Sequence, residues 1–339
     1  RLKFPKILKL VEDNDYASTL KTMPLPTIVF VGDENAGKSS TVERIAMVNV
    51  LPRSNKICTR QPVALKLRHA EDISSARPFI RLRIPGGSEK VNVTEDHARA
   101  AIERHMQELE TKGKGIVFGE EVEVEVHSDG VPTIDLIDLP GLIAVRINDG
   151  CEPEAIAEVT EKCTRHYLEQ QSVGAVVCVL DATMDNLRTS KALRLVQDAR
   201  PDLRKFTIGV LAKADKGFDM TWQDEGRDGP FWKLEGRLRG TAQDYVDIAG
   251  GYFALKNRNT MSKEALSLQE QNVHEVEWFK ENFAGADLSI RSRLGITALV
   301  EKVDWMFHQY LNKTYVPERM VKLEREEVEC VEQLRQLGI

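Results

Sequence analysis

The stretch TIVFVGDENAGKSS, residues 27–40, has the residue types and spacing of a phosphate-binding loop. An apolar run leads into Gly32-x-x-x-x-Gly37-Lys38-Ser39, and an amphipathic segment follows. The glycines let backbone N–H groups surround a phosphate, the lysine ammonium reaches the β- and γ-phosphates, and the serine hydroxyl is a ligand for Mg²⁺. The N-terminal end of the next helix faces the same anion. We therefore predict a nucleotide site, with a ligand-free glycine turn as the alternative.

Two later motifs indicate which nucleotide binds. DLPG closes a hydrophobic strand, where Asp138 would hold Mg²⁺ through a water and the N–H of Gly141 would contact the γ-phosphate. LAKADKG closes another strand, and its Asp215 carboxylate can accept both the N1–H and the N2–H of guanine, whereas adenine offers an acceptor at N1. Lys213 would lie with its aliphatic stem along the base. The motifs predict GTP, with an exposed polar turn as the alternative for LAKADKG.

Composition limits the class of protein. The 339 residues are 42% hydrophobic, which suffices for one large α/β domain with an extension or for two domains. The net charge of −6 argues against nucleic acid as the main partner. Five cysteines without a C-x-x-C pair indicate a reducing compartment, and no apolar run approaches the ~20 residues that span a bilayer. Because the chain begins with Arg1, we expect it to be part of a longer protein.

The elements that position these motifs alternate between strand and helix from Val31 to Leu255, which predicts a mostly parallel sheet with helices on both faces. Ligands of such sheets lie at the carboxyl ends of the strands, where the phosphate loop falls. The EVEVEVH run alternates glutamate and valine and predicts a half-exposed strand on a sheet edge. The predicted strands are 63–69, 79–84, 121–127, 133–138, 174–181, 206–212 and 251–256, and the predicted helices lie around 95–111, 152–171, 187–199 and 228–239.

The two ends of the chain are predicted to be helical. Residues 1–23 form an amphipathic pattern that must pack on another segment, and from about residue 262 the chain is helical, with a candidate hinge at Pro317. The last helix is strongly charged apart from Met320, Leu323, Val328, Val331 and Leu334. It is either a solvated helix with one packing stripe or the first part of a helical stalk.

Taken together, GDENAGKSSTVERI, LPRSNKICTRQPV, DLPG, AKAD and GGYFALKNRNT resemble the motifs of dynamin-superfamily GTPases, and the resemblance covers the whole chain. It implies an N-terminal bundle helix (1–23), a GTPase domain (24–294), a second bundle helix (295–316) and a further helix that could start a stalk (317–339). It assigns the nucleotide to Gly32, Asp33, Asn35, Ala36, Gly37, Lys38, Ser39, Ser40, Lys213, Asp215, Lys216, Asn257, Arg258 and Asn259. It assigns catalysis to Lys38, Thr59, Gly141, Glu34, Asn35 and Lys56, and Mg²⁺ to Ser39, Thr59 and, through water, Asp138.

Some positions depart from the family pattern. Glu34 and Asn35 stand where many relatives have glutamine and serine, and that serine helps to hold a sodium or potassium ion. Lys56 lies close to where a first-switch glycine is usual, so its ammonium could replace the ion. The alternatives are a solvated Lys56 and a cation held by the Asn35 amide oxygen.

These alternatives predict different responses to monovalent cations. If Lys56 replaces the ion, GTP turnover will be the same in sodium, potassium and a bulky organic cation. Strong stimulation by either metal ion, with near-normal activity of Lys56→Ala, would exclude this role for Lys56.

The resemblance implies a mechanochemical GTPase that remodels membranes or divides organelles. Two heads would dimerise across their nucleotide faces, and hydrolysis would swing the bundle helices against a stalk outside this chain, through which higher assembly occurs. The protein would be cytoplasmic and recruited peripherally to a membrane through regions not present here, without a nucleic-acid partner. A slowly hydrolysing, GTP-controlled scaffold and a non-fission, antiviral-like member of the superfamily are the alternatives.

Overall fold

The computed structural model describes residues 26–52, 59–74, 77–113, 115–143, 156–170, 172–199, 203–216, 230–257 and 266–337. The strands are β1 Thr27–Gly32, β2 Val63–His69, β3 Phe79–Arg83, β4 Lys90–Val91, β5 Val122–Ser128, β6 Ile134–Asp138, β7 Val173–Asp181, β8 Thr207–Ala212 and β9 Tyr252–Ala254. The helices are α1 Lys38–Ala46, α2 Glu95–Thr111, α3 Ile156–Leu168, α4 Lys191–Asp198, α5 Pro230–Arg239, α6 Leu268–Asn282, α7 Leu288–Arg291, α8 Gly295–Tyr310 and α9 Val316–Gln336.

Within these ranges the strands form one sheet in the order β4-β3-β5-β2-β6-β1-β7-β8-β9. Pairing is parallel from β6 through β1, β7 and β8 to β9, and between β2 and β5. It is antiparallel between β2 and β6, β3 and β5, and β3 and β4. The central strands are apolar because both faces of the sheet are covered. The predicted fold class, a mostly parallel sheet with helices on both faces, is confirmed.

Two clusters of buried apolar side chains lie on the two faces of the sheet. One joins the strands to α1, α2 and α8 through residues such as Val42, Ile102 and Phe307. The other joins them to α3, α4, α5 and α6 through residues such as Tyr167 and Leu193. The helices that connect parallel strands cover the two faces of the sheet. The ends of the strands are therefore left accessible to a ligand.

The predicted position of the EVEVEVH strand was wrong. β5 lies between β3 and β2 and is not an edge strand, although its valines are buried and its glutamates are only partly exposed. The cross-strand partners explain how an interior strand carries acids: Arg83 bonds to Glu123 from β3, and Lys66 donates to the same carboxylate from β2 at 2.7 Å. Opposite charges across neighbouring strands stabilise such a face. Alternation reveals a half-buried face, but it does not reveal whether another strand pairs outside it.

Helix α8 packs within the core, on the face that also holds α1. Its Leu299, Val303 and Phe307 side chains are buried in the same cluster as the strands. The predicted domain division between residues 294 and 295 stays a prediction, but α8 packs as a core helix of the α/β unit. The predicted bundle helix at 1–23 lies outside the described residues.

Helix α9 differs from α8 in having no buried residue. A π-helical turn, Leu311–Tyr315, joins the two helices, and Pro317 lies in the first turn of α9. The backbone is helical on both sides of Pro317, so this proline removes one N–H from a continuous helix, and the π-helical turn lies directly before it. The chain therefore stays helical across the predicted hinge. The side chains exposed on α9 include the apolar residues Met320, Val321, Val328, Val331 and Leu334.

Candidate nucleotide site

The predicted phosphate loop connects β1 to α1 at the carboxyl end of the sheet. A Cβ atom on Gly32 would lie 2.6 Å from the carbonyl oxygen of Val179 on β7, so the loop requires glycine where the strand ends. Gly37 precedes α1 with φ +95°, and Asn35 has φ +59° at the exposed tip of the loop. Left-handed backbone at these two positions turns the chain sharply from strand into helix. Ala36 is buried beneath the turn.

The DLPG segment lies directly against this loop. The N–H of Leu142 donates to the Gly32 carbonyl at 3.0 Å, and the N–H of Glu34 donates to the Leu142 carbonyl at 2.9 Å. A Cβ atom on Gly141 would lie 3.0 Å from the Cα atom of Glu34. The two motifs, about a hundred residues apart in the chain, therefore form one wall of the site, with Gly141 facing the loop.

Lys38, Ser39 and Asp138 form the centre of the site. The Lys38 ammonium lies 2.5 Å from one oxygen of the Asp138 carboxylate, and the Ser39 hydroxyl donates to the other at 2.8 Å. Lys38 is 6% exposed and Asp138 fully buried, so the ion pair lies in a region of low dielectric constant. A hydroxyl and a carboxylate are the oxygen donors that Mg²⁺ accepts, and this ion keeps water and phosphate ligands as well. The donor set fits Mg²⁺ bound together with a nucleotide.

Thr59 approaches the same edge of the sheet from β2. It is buried, and Val63, four residues later, pairs with Asp138. The two residues after Thr59 are anchored: Arg60 lies 3.3 Å from a Glu110 oxygen, and Gln61 donates to the Glu120 carbonyl at 2.8 Å. These contacts fix the C-terminal part of the LPRSNKICTRQPV segment, which corresponds to the first switch of the family. Lys56 lies outside the described residues.

The base motif follows β8, next to the end of β7. Lys213 has φ +58°, and its ammonium lies 2.6 Å from Asp181 Oδ2, while Thr183 donates to Oδ1 of the same carboxylate. Burial opposes ionisation of Asp181, but these hydrogen bonds outweigh it and hold the pKa of Asp181 below its usual value. The lysine stem is therefore held in place at its charged end. Asp215, two residues further on, is half-buried at the same edge.

Asp181 was not predicted from the sequence as a site residue. Its signal is its position at the end of the strand GAVVCVLD, because carboxyl ends of neighbouring parallel strands meet at one edge. Lys191 was also not predicted as a site residue, and its ammonium donates to the Ile143 carbonyl at 2.8 Å, just beyond DLPG. This bond helps to hold the segment that follows DLPG against α4.

The structure separates the other predicted residues into four groups. Asn257 lies against the phosphate loop, since its amide nitrogen is 3.4 Å from the Gly37 carbonyl. The Asp33 carboxylate instead accepts a hydrogen bond from the N–H of Ala192, so it faces the start of α4. Ser40 is half-buried in α1, Glu34 is half-buried, and Lys216 is exposed, its N–H closing a turn on Lys213. Arg258 and Asn259 lie outside the described residues.

Comparison with known proteins identifies the family. Residues 28–214, more than half of the chain, match the model of the Dynamin family. This chain belongs to the dynamin family. It is 32% identical to dynamin-related protein 4A of Arabidopsis thaliana over 75% of this chain and 76% of that protein. It is also 32% identical to dynamin-related protein 4C of Arabidopsis thaliana and 27% identical to the interferon-induced GTP-binding protein Mx2 of Oncorhynchus mykiss.

The extent of these matches differs. They cover 69% of this chain against dynamin-related protein 4C and 87% against Mx2, but the chain spans only 31% and 43% of those two proteins. The predicted family and the prediction of a GTPase are confirmed by the match. Within the described ranges, no helix combines the length and apolar character needed to cross a lipid bilayer.

Proposed function

We propose that this chain is the GTP-hydrolysing head of a mechanochemical protein that remodels or divides a membrane, activated when two heads dimerise. The observation that carries the proposal is the cluster of Lys38, Ser39 and Asp138, in which Lys38 and Asp138 are buried. This cluster supplies one cation, one hydroxyl and one carboxylate at the point where β1 and β6 end. Phosphoryl transfer needs such groups because its catalysis is mainly positioning and charge stabilisation.

Each residue has a proposed task in binding and hydrolysis. Lys38 neutralises the β- and γ-phosphates, and Ser39 and Asp138 hold Mg²⁺, which supplies further positive charge to the phosphate oxygens when bound. Thr59 and the N–H of Gly141 orient the γ-phosphate and the attacking water. Asp215 selects guanine.

Two features support dimer activation and a lever. The tip of the phosphate loop, at Asn35, is exposed beside the site, where a second head could contact it. Helix α9 continues from α8 without burying a residue and presents an apolar stripe. An apolar stripe at helical spacing is suited to packing against another helix. We propose that α9 carries movement from the head to a stalk.

The alternative proposal is a head that binds GTP and controls assembly without rapid turnover or membrane fission. An antiviral-like role is an equal candidate, because 87% of this chain matches the interferon-induced GTP-binding relative. Both proposals place the protein in the cytoplasm, recruited to its target through regions outside this chain.

Turnover per head, measured as a function of protein concentration, separates these proposals. For the dimer-activated enzyme, the rate of phosphate release per head rises several-fold between nanomolar and high micromolar protein at saturating GTP. A rate per head that stays low and constant over this range would contradict dimer activation and favour the scaffold. Sedimentation with GDP and a transition-state mimic such as aluminium fluoride provides the control, because an activated head dimerises most strongly in the transition state.

A further inference from the structure

A buried ion pair outside the residues assigned to GTP joins α1 to α6. The two terminal nitrogens of Arg44 donate to the two oxygens of Glu275 at 2.8 and 2.6 Å. The side chains are 1% and 0% exposed. A buried pair of this kind is costly unless its other hydrogen-bonding positions are filled. Every side-chain nitrogen and oxygen of the pair except the Nε atom of Arg44 has a hydrogen-bond partner within the described residues. Its other partners therefore show which segments the pair holds.

The Glu275 carboxylate fixes two backbone segments at once. One oxygen accepts from the N–H of Lys256, just beyond β9, at 2.8 Å, and the other accepts from the N–H of Ile296 in the first turn of α8, also at 2.8 Å. The first N–H groups of a helix lack helical partners, so a carboxylate is favourable there. Gly295 permits this approach: it has φ +83°, and a Cβ atom would lie 3.2 Å from the carboxylate.

The Arg44 guanidinium reaches the same segment from the other side. One terminal nitrogen is 3.3 Å from the Lys256 carbonyl and 3.4 Å from the amide oxygen of Asn257. The amide nitrogen of Asn257 faces the Gly37 carbonyl at 3.4 Å and the Thr41 hydroxyl at 3.3 Å. Asn257 is thus held between the arginine and the phosphate loop. The planar fork of arginine makes this set of contacts, whereas the single ammonium of lysine would not.

We propose that Arg44 and Glu275 are positioning residues for the nucleotide. They hold Lys256 and Asn257 against the phosphate loop, and the shared carboxylate couples guanine-nucleotide binding to the start of α8. Neither residue is among those assigned to the nucleotide. Because coupling is reciprocal, a nucleotide that tightens the 256–257 segment also stabilises the first turn of α8. The inference rests on nucleotide binding at the phosphate loop but not on dimerisation of the heads.

Arg44→Lys tests this role, because it keeps the positive charge beside Glu275 and removes the fork. We expect the Kd for GDP and the KM for GTP to rise roughly tenfold, with kcat within about twofold, because hydrogen bonds to the segment are lost. In the wild type, saturating GDP should slow amide hydrogen exchange in peptides covering residues 295–300. In Arg44→Lys, most of this GDP-dependent difference should disappear even at saturation.

The matched control is Arg68→Lys, which alters an arginine–aspartate pair (Arg68 with Asp135, 2.6 Å) at the opposite end of β6 from Asp138. It should leave GDP affinity and the exchange of residues 295–300 unchanged. GDP binding by Arg44→Lys within twofold of the wild type would overturn the positioning role. Weaker binding with an undiminished exchange difference at saturation would overturn the coupling.

A second variant keeps the inference testable if Arg44→Lys does not fold. Asn257→Ala removes the contact with the phosphate loop and leaves the bond from Ile296 to Glu275, so α8 should show normal exchange without nucleotide. Its Kd for GDP should rise about as much as in Arg44→Lys, and unchanged affinity would overturn the inference. Failure of the wild type to bind GDP would instead contradict the nucleotide site itself.

Discussion

Replacing Asp215 with asparagine will weaken GTP binding by about a hundredfold or more and shift the preference of the site toward xanthosine triphosphate. The carboxylate is proposed to accept two donors of guanine, and an amide would place a donor against one of them, leaving polar groups unpaired. Xanthine carries a carbonyl at the position of the guanine amino group, so the amide regains a partner. Equilibrium binding of both nucleotides measures the change.

The xanthosine triphosphate measurement is also a folding control, since a misfolded variant would bind neither nucleotide. Asp198→Asn provides a matched substitution, because this aspartate is exposed at the end of α4. It should bind GTP like the wild type. Unchanged GTP affinity in Asp215→Asn would remove Asp215 from the base pocket.

Replacing Thr59 with alanine will lower GTP turnover by at least about a hundredfold while GTP affinity stays within a few-fold. The threonine is proposed to act at the γ-phosphate and the attacking water, and contacts made mainly in the transition state affect kcat more than binding. The loss of one hydroxyl should not unfold the segment, because Arg60 and Gln61 anchor it through Glu110 and the Glu120 carbonyl. Single-turnover hydrolysis and equilibrium binding measure the two quantities.

Thr111→Ala is the control for this substitution. Thr111 is an exposed threonine at the end of α2, where its hydroxyl donates to the Glu108 carbonyl. It should hydrolyse GTP at the wild-type rate. Normal hydrolysis by Thr59→Ala would show that the first switch is aligned incorrectly and that another residue orients the water.

The centre of the site could be predicted from the sequence because local motifs specify it. The glycine pattern, the lysine and the serine are adjacent in the chain, and DLPG and AKAD each follow an apolar strand. Parallel strands bring their carboxyl ends together, so Lys38 and Asp138 had to lie near each other once the fold class was known. Their contact at 2.5 Å agrees with this reasoning.

The supporting contacts could not be predicted in the same way. Arg44 and Glu275 are 231 positions apart, and each alone is typical of the charged face of a helix. Only the contacts that α6 makes with α1 and α8 in the folded chain bring them together and bury them. The edge position predicted for the EVEVEVH strand was wrong for a similar reason. The charges of β3 and β5 are seen to match only once the two strands are paired. Local sequence patterns do not predict which distant residues or strands pair.

The cluster at Lys38 and Asp138 is proposed to carry out GTP hydrolysis. Phosphate release from GTP and from ATP, each with Mg²⁺, tests this proposal most directly when the wild type is compared with Lys38→Ala. We expect rapid release from GTP, little from ATP, and loss of GTP hydrolysis in Lys38→Ala, since this variant lacks the ammonium proposed to neutralise the phosphates. Equal release from ATP, or GTP hydrolysis that persists in Lys38→Ala, would contradict it.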